Sequence, residues 1–462
     1  MYAVIFKESN NKYVILDAYY KGRWSADKNS LIVYLNYLSL HDKFGKKTGN
    51  IQLQLMELSE KYNIDIDKTD ELLMFFKANK LPKLCNFDAE YLIAKLDEFT
   101  EGIITPPTPI LEVTPYCNYR CPWCYIPTRI IEQSEFFNDQ ELVNHIIKPL
   151  IERYGLLEWC LTGGEPTVQP ERTEHVAELI TEESIKILGK KPVSIYLLTN
   201  GYNLASNIDR FHNVGINSFQ VALSSPNAQK ENMLRRTPEG VDSYKNAIEG
   251  IKAVVERGLR AEINMIIQPI GAHAVDNLYD IPDMVELAKE LKIKMLRIIP
   301  AVPCGQANEN NIWMTKKEYD EVRKMVHEGR ERIPEIIVDC PIDQEIEPDR
   351  DIYCRAGTLW LYIDFKGRTY PCNNIQNDAS QCYDKTIREI EVNEIWEKSH
   401  ILKSMRDYNV KSVSEECIKC NMRVECAGEC RAMTWARYQK YDLSIRPKVC
   451  FKDLNMQEAR GY

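Results

Sequence analysis

No stretch of this 462-residue sequence is long and apolar enough to predict a helix that crosses a membrane. Such a helix needs about 18 consecutive apolar residues, and the apolar start of the chain, Met1–Phe6, is also too short for a signal peptide. Positive charge is not in excess either. The net charge is −9, which argues against a broad cationic surface for nucleic acid or anionic lipid. We therefore expect a cytoplasmic protein with no nucleic-acid and no membrane partner.

Internal repeats and low-complexity segments are also lacking. With 44% hydrophobic and 27% charged residues, the composition is that of an ordinary globular protein. The length suggests about three domains. The patterns below divide the chain into residues 1–105, residues 106–310, a bridging segment 311–345 and a cysteine-rich region 346–462.

Cysteine is the abundant residue, with fifteen in the chain. Since no export signal is visible, disulfides are not expected, and in a reducing compartment clustered cysteines more often bind metal. Ten of the cysteines form two spaced patterns. Three lie within residues 117–124, and seven lie towards the C-terminus at positions 354, 372, 417, 420, 426, 430 and 450.

The middle of the chain alternates strand-like and helix-like segments. Alternation of this kind predicts βαβ units with a parallel sheet. Six units favour a partial (β/α)6 TIM-like barrel in an α/β protein over a closed eight-stranded barrel, and chemistry is then expected at the C-terminal ends of the strands. The clearest helical pattern is Asp139–Arg153. The predicted strands are Leu111–Thr114, Leu156–Thr162, Val193–Thr199, Ser218–Ser224, Arg260–Gln268 and Lys294–Pro300.

Residues 1–105 read as a separate small module. Met1–Tyr20 is strand-like, and Gln52–Tyr62 and Asp70–Lys80 are helical. This order is typical of a winged-helix-like domain. The stretch Glu101–Pro109 carries three prolines and is expected to link the module to the barrel.

The first cysteine pattern is C-x3-C-x2-C, formed by Cys117, Cys121 and Cys124 directly after the first barrel strand. Three thiolates from one loop can hold three irons of a cubane cluster and leave the fourth iron open to a small molecule. The alternatives are a zinc knuckle that lacks its fourth ligand or a cluster of buried thiols. Polar turns end the next three strands, at Gly163-Gly164-Glu165-Pro166, Thr199-Asn200-Gly201 and Ser224-Ser225-Pro226, and Arg235-Arg236 follow the last of them.

Together, the cysteine loop and the Gly-Gly-Glu-Pro turn resemble the radical S-adenosylmethionine (SAM) superfamily over residues 106–310. The resemblance implies a [4Fe–4S] cluster on the three cysteines, with SAM on the open iron. Reductive cleavage of SAM then gives a 5′-deoxyadenosyl radical that can take hydrogen from an unactivated C–H bond. The SAM contacts that it implies are Trp123, Gly163, Gly164, Glu165, Asn200, Ser224 and one of Arg235 or Arg236.

The seven C-terminal cysteines, with Gly367, read C-x12-G-x4-C, a gap, C-x2-C-x5-C-x3-C, a gap and C. Alone, this spacing favours zinc. After a radical SAM pattern it resembles the SPASM extension, which implies two auxiliary [4Fe–4S] clusters and so three clusters in all. The ligands implied are Cys354, Cys372 and Cys430 for auxiliary cluster I, and Cys417, Cys420, Cys426 and Cys450 for auxiliary cluster II. Cys340 is the candidate eighth ligand, ahead of Cys382, and without either one iron stays open.

These resemblances predict an oxidoreductase that matures a ribosomally made precursor peptide by forming an intramolecular thioether or C–C cross-link. Residues 1–105 would bind the leader of the peptide, or would serve only as a structural cap on the barrel. The auxiliary clusters would accept the second electron, and flavodoxin or ferredoxin would supply the first. One alternative is a formylglycine-forming sulfatase maturase or another SPASM dehydrogenase. In that maturase group an aspartate base usually follows the position of Cys372, but here Asn373 does, and an amide cannot take up the proton. A zinc-rich binding protein is the alternative that is not an enzyme.

Overall fold

A computed structural model describes most of the chain. The described residues are 3–17, 22–44, 57, 60–65, 67–69, 71, 72, 74, 86–126, 136–270, 275–302, 304–312, 314–334, 337–339, 355–376, 381–406, 419 and 432. None of the described helices combines the length and the apolar character that a membrane crossing requires.

Two sheets organise the described residues. A small sheet has the order β3-β2-β1-β4, and a nine-stranded sheet has the order β11-β10-β9-β8-β7-β6-β5-β12-β13. The strands are β1 Ala3–Ser9, β2 Lys12–Asp17, β3 Gly22–Ala26, β4 Gly102–Ile103, β5 Thr108–Thr114, β6 Glu158–Gly163, β7 Ser194–Thr199, β8 Ser218–Ala222, β9 Arg260–Ile267, β10 Met295–Pro300, β11 Ile337–Asp339, β12 Trp360–Ile363 and β13 Thr369–Tyr370.

Helices cover the outer face of the large sheet and flank the small one. They are α1 Lys28–Phe44, α2 Ala89–Ala94, α3 Asp139–Leu142, α4 Lys148–Tyr154, α5 Pro170–Leu188, α6 Leu204–Asn213, α7 Ala228–Arg235, α8 Ser243–Glu256, α9 Ile281–Glu290, α10 Gln306–Glu309, α11 Lys316–Arg332, α12 Val392–Lys398 and α13 His400–Arg406. Short 3₁₀ helices lie at Leu96–Glu98, Pro166–Val168 and Leu278–Asp280.

Strands β5 to β10 are the six predicted barrel strands, and each pairs in parallel with its neighbour in chain order. The predicted α/β class with a partial barrel is confirmed. Side chains alternate between the two faces of each strand. On β9, Ile263, Met265 and Ile267 point outward into the main apolar core beneath the helices. The residues between them therefore face the barrel interior.

The sheet continues beyond the six barrel strands at both edges. β11 pairs in parallel with β10. At the other edge, β12 from the C-terminal region pairs in parallel with β5, and β13 pairs antiparallel with β12. The added strands cover edges that would otherwise expose unpaired backbone groups. The predicted division at residues 105, 310 and 345 stays a prediction.

One predicted helix has an irregular centre. Between α3 and α4, Val143–Ile147 forms a π-helical segment. Pro149 follows at the start of α4 and has no N–H to donate to a carbonyl of the preceding turn. A local π-bulge is one way in which a helix accommodates such a residue.

In the N-terminal module, β1, β2 and β3 form an antiparallel meander, and β1 also pairs with β4 beside the barrel. The ammonium of Lys7 is buried and donates to the carbonyls of Leu96 and Phe99, at 3.3 and 2.8 Å. The pairing of β1 with β4 and the two hydrogen bonds of the Lys7 ammonium thus join the small sheet to residues 96–103, which lead into the barrel. Helix α1 was not predicted, and the two predicted helices, 52–62 and 70–80, lie largely outside the described residues.

Candidate functional site at the barrel rim

The cysteine loop begins where β5 ends. Cys117, Cys121 and Cys124 are all partly exposed on this loop, and a turn closes between the last two, with the Cys124 N–H donating to the Cys121 carbonyl at 3.1 Å. Within the described part of the chain, no three side chains converge closely enough to hold a single metal ion. Three separated thiols on one loop fit a cubane, which takes one thiolate on each of three irons.

Burial raises the pKa of two of these thiols, Cys117 and Cys121, and so favours their protonated form. It raises the pKa of Cys117 to about 12, and the nearby carboxylate of Glu165 raises it further. Burial also raises the pKa of Cys121, while the Arg235 guanidinium opposes that rise. Because iron binds the thiolate, cluster assembly must displace these protons.

The Gly-Gly-Glu-Pro turn after β6 fixes the start of the loop. The Gly164 N–H donates to the Thr114 carbonyl, and the Glu165 N–H donates to the Tyr116 carbonyl, both at 2.7 Å. A Cβ on Gly163 would lie 2.2 Å from the Thr114 oxygen, and one on Gly164 would lie 2.2 Å from the Tyr116 oxygen. Only glycine allows the two backbones to approach this closely.

Glu165, which follows β6, is joined to the end of β7 through its side chain. Its carboxylate is fully buried and accepts from the Thr167 N–H and hydroxyl, from the Thr199 hydroxyl at 2.6 Å and from the Asn200 N–H at 2.6 Å. Burial raises the pKa of Glu165, while these hydrogen bonds favour the ionised form. The Asn200 side chain in turn donates to Asn118 of the cysteine loop at 3.0 Å.

Ser224, Glu231 and Arg235 form a buried charged cluster against the other side of the loop. Arg235 donates to Glu231 at 2.7 Å and to the Ser224 hydroxyl at 2.9 Å. Glu231 also accepts from the Ser224 and Ser225 N–H groups. Burial lowers the pKa of Arg235, but the Glu231 carboxylate and the Cys121 thiol more than reverse this, so its pKa is raised.

The structure distinguishes the two candidate arginines by position. The Arg235 guanidinium lies 3.9 Å from the Cys121 sulfur and 5.4 Å from the centre of the Trp123 ring. Arg236 instead ends α7 in a left-handed conformation, with its side chain exposed. Arg235 therefore belongs to the rim site, and Arg236 lies outside it.

Trp123 is the centre of a small apolar cluster beside these charges. It packs with Leu234, Ala301, Ala307 and Ile312, and with Ile266 on the inner face of β9. The rim therefore combines three thiols, one fixed positive charge and an apolar wall, and every predicted SAM-site residue except Arg236 lies in it.

Comparison with known proteins identifies this constellation. Residues 111–281 match the family model described as the Radical SAM superfamily. These residues therefore form a radical SAM domain, and the chain is an enzyme. It is 24% identical over 348 residues to a PqqA peptide cyclase of Methylorubrum extorquens, a match that covers 72% of this chain and 83% of the relative. It is also 24% identical over 357 residues to an AdoMet-dependent heme synthase of Methanosarcina barkeri, covering 71% and 92%.

Solved structures share the fold. Streptococcus suis SuiB bound to S-adenosylmethionine superposes with a TM-score of 0.61 at 16% identity, covering 96% of this chain and 97% of that one. SuiB bound to the precursor peptide SuiA gives 0.62 at 15% identity, covering 97% and 98%. Native anSMEcpe with bound AdoMet gives 0.54 at 17% identity, covering 73% and 93%.

Two parts of this site were not predicted from the sequence. Glu231, which fixes Arg235, gave no signal beyond its place four residues before that arginine. The second part is the segment after β10, where the Gln306 N–H donates to the Cys124 carbonyl at 2.8 Å and Asn310 donates to the Pro122 carbonyl at 3.0 Å. A Cβ on Gly305 would lie 2.3 Å from the Tyr125 oxygen. In the sequence, the only sign of this segment's role was Gly305 itself, a glycine that follows shortly after a barrel strand.

Most residues of the second cysteine pattern lie outside the described residues, namely Cys340, Cys354, Cys417, Cys420, Cys426, Cys430 and Cys450. Cys372 is described and is partly exposed, and it packs with Ile375, Ala432 and Val302. Val302 directly follows β10, so Cys372 lies near the same end of the barrel as the cysteine loop. Cys382 is fully buried in the main apolar core. The assignment of cluster ligands stays a prediction.

Proposed function

We propose that this radical SAM enzyme modifies a ribosomally made precursor peptide and forms an intramolecular thioether or C–C cross-link. The observation that supports this proposal most directly is the arrangement of the barrel rim. There the cysteine loop, the Gly-Gly-Glu-Pro turn and the buried Arg235 cluster meet at one end of the barrel interior. When bound, a reduced cluster and SAM supply a 5′-deoxyadenosyl radical that takes hydrogen from a C–H bond. The protein itself binds and orients the cofactors and the substrate, and it excludes water.

The rim residues divide these tasks. Cys117, Cys121 and Cys124 would hold the cluster. Arg235, kept charged by Glu231, would orient the carboxylate of SAM. Trp123 and its apolar neighbours would shield the adenine ring of SAM from water.

The barrel interior offers room for a substrate. Outward-facing residues of β7 to β10, such as Leu197, Val221 and Ile298, are completely buried, whereas inward-facing residues, such as Leu198 and Ile299, stay partly exposed. At the far end lies Glu262, which pairs with Arg260 at 2.6 Å and lies 3.7 Å from Arg297. A chamber with a charged floor and an open rim suits a substrate that enters from the rim.

A peptide substrate is supported by the relatives and by the N-terminal module. The matched relative from Methylorubrum extorquens is named a peptide cyclase, and SuiB, which is similar along nearly the whole chain, has been solved with a precursor peptide. Among the described residues, β3 is one of the two edge strands of the small sheet. An edge strand can bind an extended peptide by strand addition, so we assign leader binding to residues 1–105.

The auxiliary clusters belong to the same proposal. After hydrogen abstraction, the substrate radical must lose one electron and one proton to become a closed-shell cross-link. Two SPASM-type clusters, with Cys372 among their ligands, would accept that electron, and flavodoxin or ferredoxin would reduce the SAM cluster. A formylglycine-forming maturase is less well supported. Asn373 accepts from the Cys372 thiol at 3.3 Å and donates to Asn374, and its amide is no proton acceptor.

Co-expression tests the proposal. The chain is produced with each short peptide encoded near its gene, and the peptides are then weighed by mass spectrometry. We expect one peptide to lose two hydrogen atoms in the presence of the wild type and to stay unchanged with the Cys117→Ala, Cys121→Ala, Cys124→Ala variant. SAM cleavage without any peptide losing hydrogen would contradict the peptide assignment.

A further inference from the structure

The inner face of β9 carries a row of side chains that runs from the floor of the barrel to its rim. On β9 the inner row consists of Glu262, Asn264 and Ile266, which alternate with the outward residues of the main core, and Gln268 comes next in the same alternation, one residue past the end of the strand. Glu262 is held by arginines at the floor, and Ile266 packs in the Trp123 cluster near the rim. The two amides lie on either side of Ile266.

Gln268 is the anomaly in this row. Its side chain is only 1% exposed, yet neither Oε1 nor Nε2 has a hydrogen-bond partner among the described residues. Asn264 donates to Gln220 at 3.3 Å, but its own Oδ1 is buried without a described partner. A buried amide that makes no hydrogen bond loses its contacts with water and gains nothing in return. Such groups in a native protein call for an explanation, and a binding role is one.

The backbone holds Gln268 firmly in this position. Its N–H donates to the Asn277 side chain at 2.6 Å, and the same amide of Asn277 donates to the carbonyls of Ser224 and Ile266 at 2.6 and 2.8 Å. Gln268 is thus tied to the end of β8 and to its own strand. A rigidly placed but unsatisfied side chain is pre-organised for a ligand group.

We infer that Gln268 and Asn264 hydrogen-bond the main-chain amides of a substrate peptide lying in the barrel along the inner row. This inference rests on the proposed function. A carboxamide presents donors and an acceptor without charge, and its best complement is another amide, not a carboxylate or a cation. The two residues are four apart, or about 13 Å along the strand. An extended peptide repeats its amide orientation every second residue and can reach both, whereas a single adenine ring cannot.

Gln268→Leu should stabilise the peptide-free protein but weaken its binding of the substrate peptide. Replacing an unsatisfied buried amide by an apolar group of similar size relieves its desolvation cost, so the melting temperature of the peptide-free protein should rise by about 2 °C. Affinity for the peptide that the wild type modifies should fall roughly tenfold. Affinity for SAM should stay unchanged. Asn36→Leu is the matched control: this buried amide does have a partner, the Ile32 carbonyl at 2.9 Å, so its loss should lower the melting temperature.

The decisive measurements are thermal unfolding of the peptide-free protein, and calorimetric binding of that synthetic peptide and of SAM. A fall in melting temperature for Gln268→Leu would show a structural role and overturn the inference. Unchanged peptide affinity, or a loss confined to SAM, would overturn it as well. Failure of the wild type to modify any peptide is a separate result that refutes the proposed function and not the placement of Gln268.

Discussion

At the scale of single residues, the rim site depends on a buried ion pair more than on its surface charges. Arg235 and Glu231 are both almost fully buried, and Glu231 satisfies two backbone N–H groups in addition to the guanidinium. Removing one member of a buried pair leaves the other uncompensated, at a cost of about 3–5 kcal/mol. Arg235 therefore supports both the fold of the rim and its positive charge.

Neighbouring arginines allow a matched test. Arg235→Gln should lower the melting temperature and strongly reduce SAM binding, because the buried guanidinium that lies beside Trp123 and Cys121 is lost. Arg236→Gln changes an exposed side chain and should behave like the wild type. Equal effects of the two substitutions on SAM affinity would contradict the assignment of Arg235.

A second prediction concerns the close approach of two backbones. Gly164→Ala would place a methyl group 2.2 Å from the Tyr116 carbonyl, so the cysteine loop must shift. We expect reduced iron incorporation and a slower release of 5′-deoxyadenosine from SAM. Gly329→Ala is the control, since its Cβ would meet only the Val285 side chain at 3.1 Å and alanine favours the helix. Iron content like that of the wild type in Gly164→Ala would show that the loop tolerates the displacement.

At the scale of elements, the sequence predicted the six barrel strands because β-branched, apolar runs alternate with amphipathic helices there. It did not reveal β11 or β12, since strands of three and four residues carry too little pattern to stand out. It also missed α1, because its centre, Leu31–Leu38, is an almost unbroken apolar run that is buried throughout and so shows no helical period. Of the site, the residues in compact motifs were predictable. Glu231, Gln306 and Asn310 were not, because they reach the loop only through the folding of distant segments.

The edge strand β3 offers a test of leader binding in the full-length chain. Successive residues of an edge strand direct their N–H groups alternately inward and outward. Of two neighbouring residues such as Trp24 and Ser25, one therefore directs its N–H towards β2 and the other directs its N–H away from the sheet. Proline at the second of these positions removes a donor that a peptide could use and leaves the pairing with β2 intact. That variant should keep its melting temperature and its SAM cleavage but bind the modified peptide more weakly. Unchanged peptide affinity in both Trp24→Pro and Ser25→Pro would refute leader binding at this edge.

At the scale of the whole molecule, the described residues of the C-terminal region, chiefly 355–376 and 381–406, pack on the barrel. Trp396 is fully buried and donates to the Thr105 carbonyl at 3.0 Å, and Glu397 pairs with Arg153 at 2.9 Å. Together with the pairing of β12 and β5, these contacts bring Cys372 to the rim end of the barrel. This arrangement suits a second redox centre that serves the same chamber.

The iron content of the whole chain tests this arrangement. If all three cubanes assemble, anaerobic reconstitution should give about twelve irons per chain, falling to about eight when Cys117, Cys121 and Cys124 are all alanine. Elemental analysis and the visible absorption of the brown protein measure both numbers. About four irons in the wild type would remove the auxiliary clusters from the account.

The central claim is that the three-cysteine loop supports reductive cleavage of SAM. Its most direct test is the amount of 5′-deoxyadenosine that the reconstituted enzyme releases from SAM under a strong reductant without oxygen. We predict release by the wild type and none by the Cys117→Ala, Cys121→Ala, Cys124→Ala variant. Release by that variant, or a colourless wild type that contains zinc and leaves SAM intact, would contradict the account.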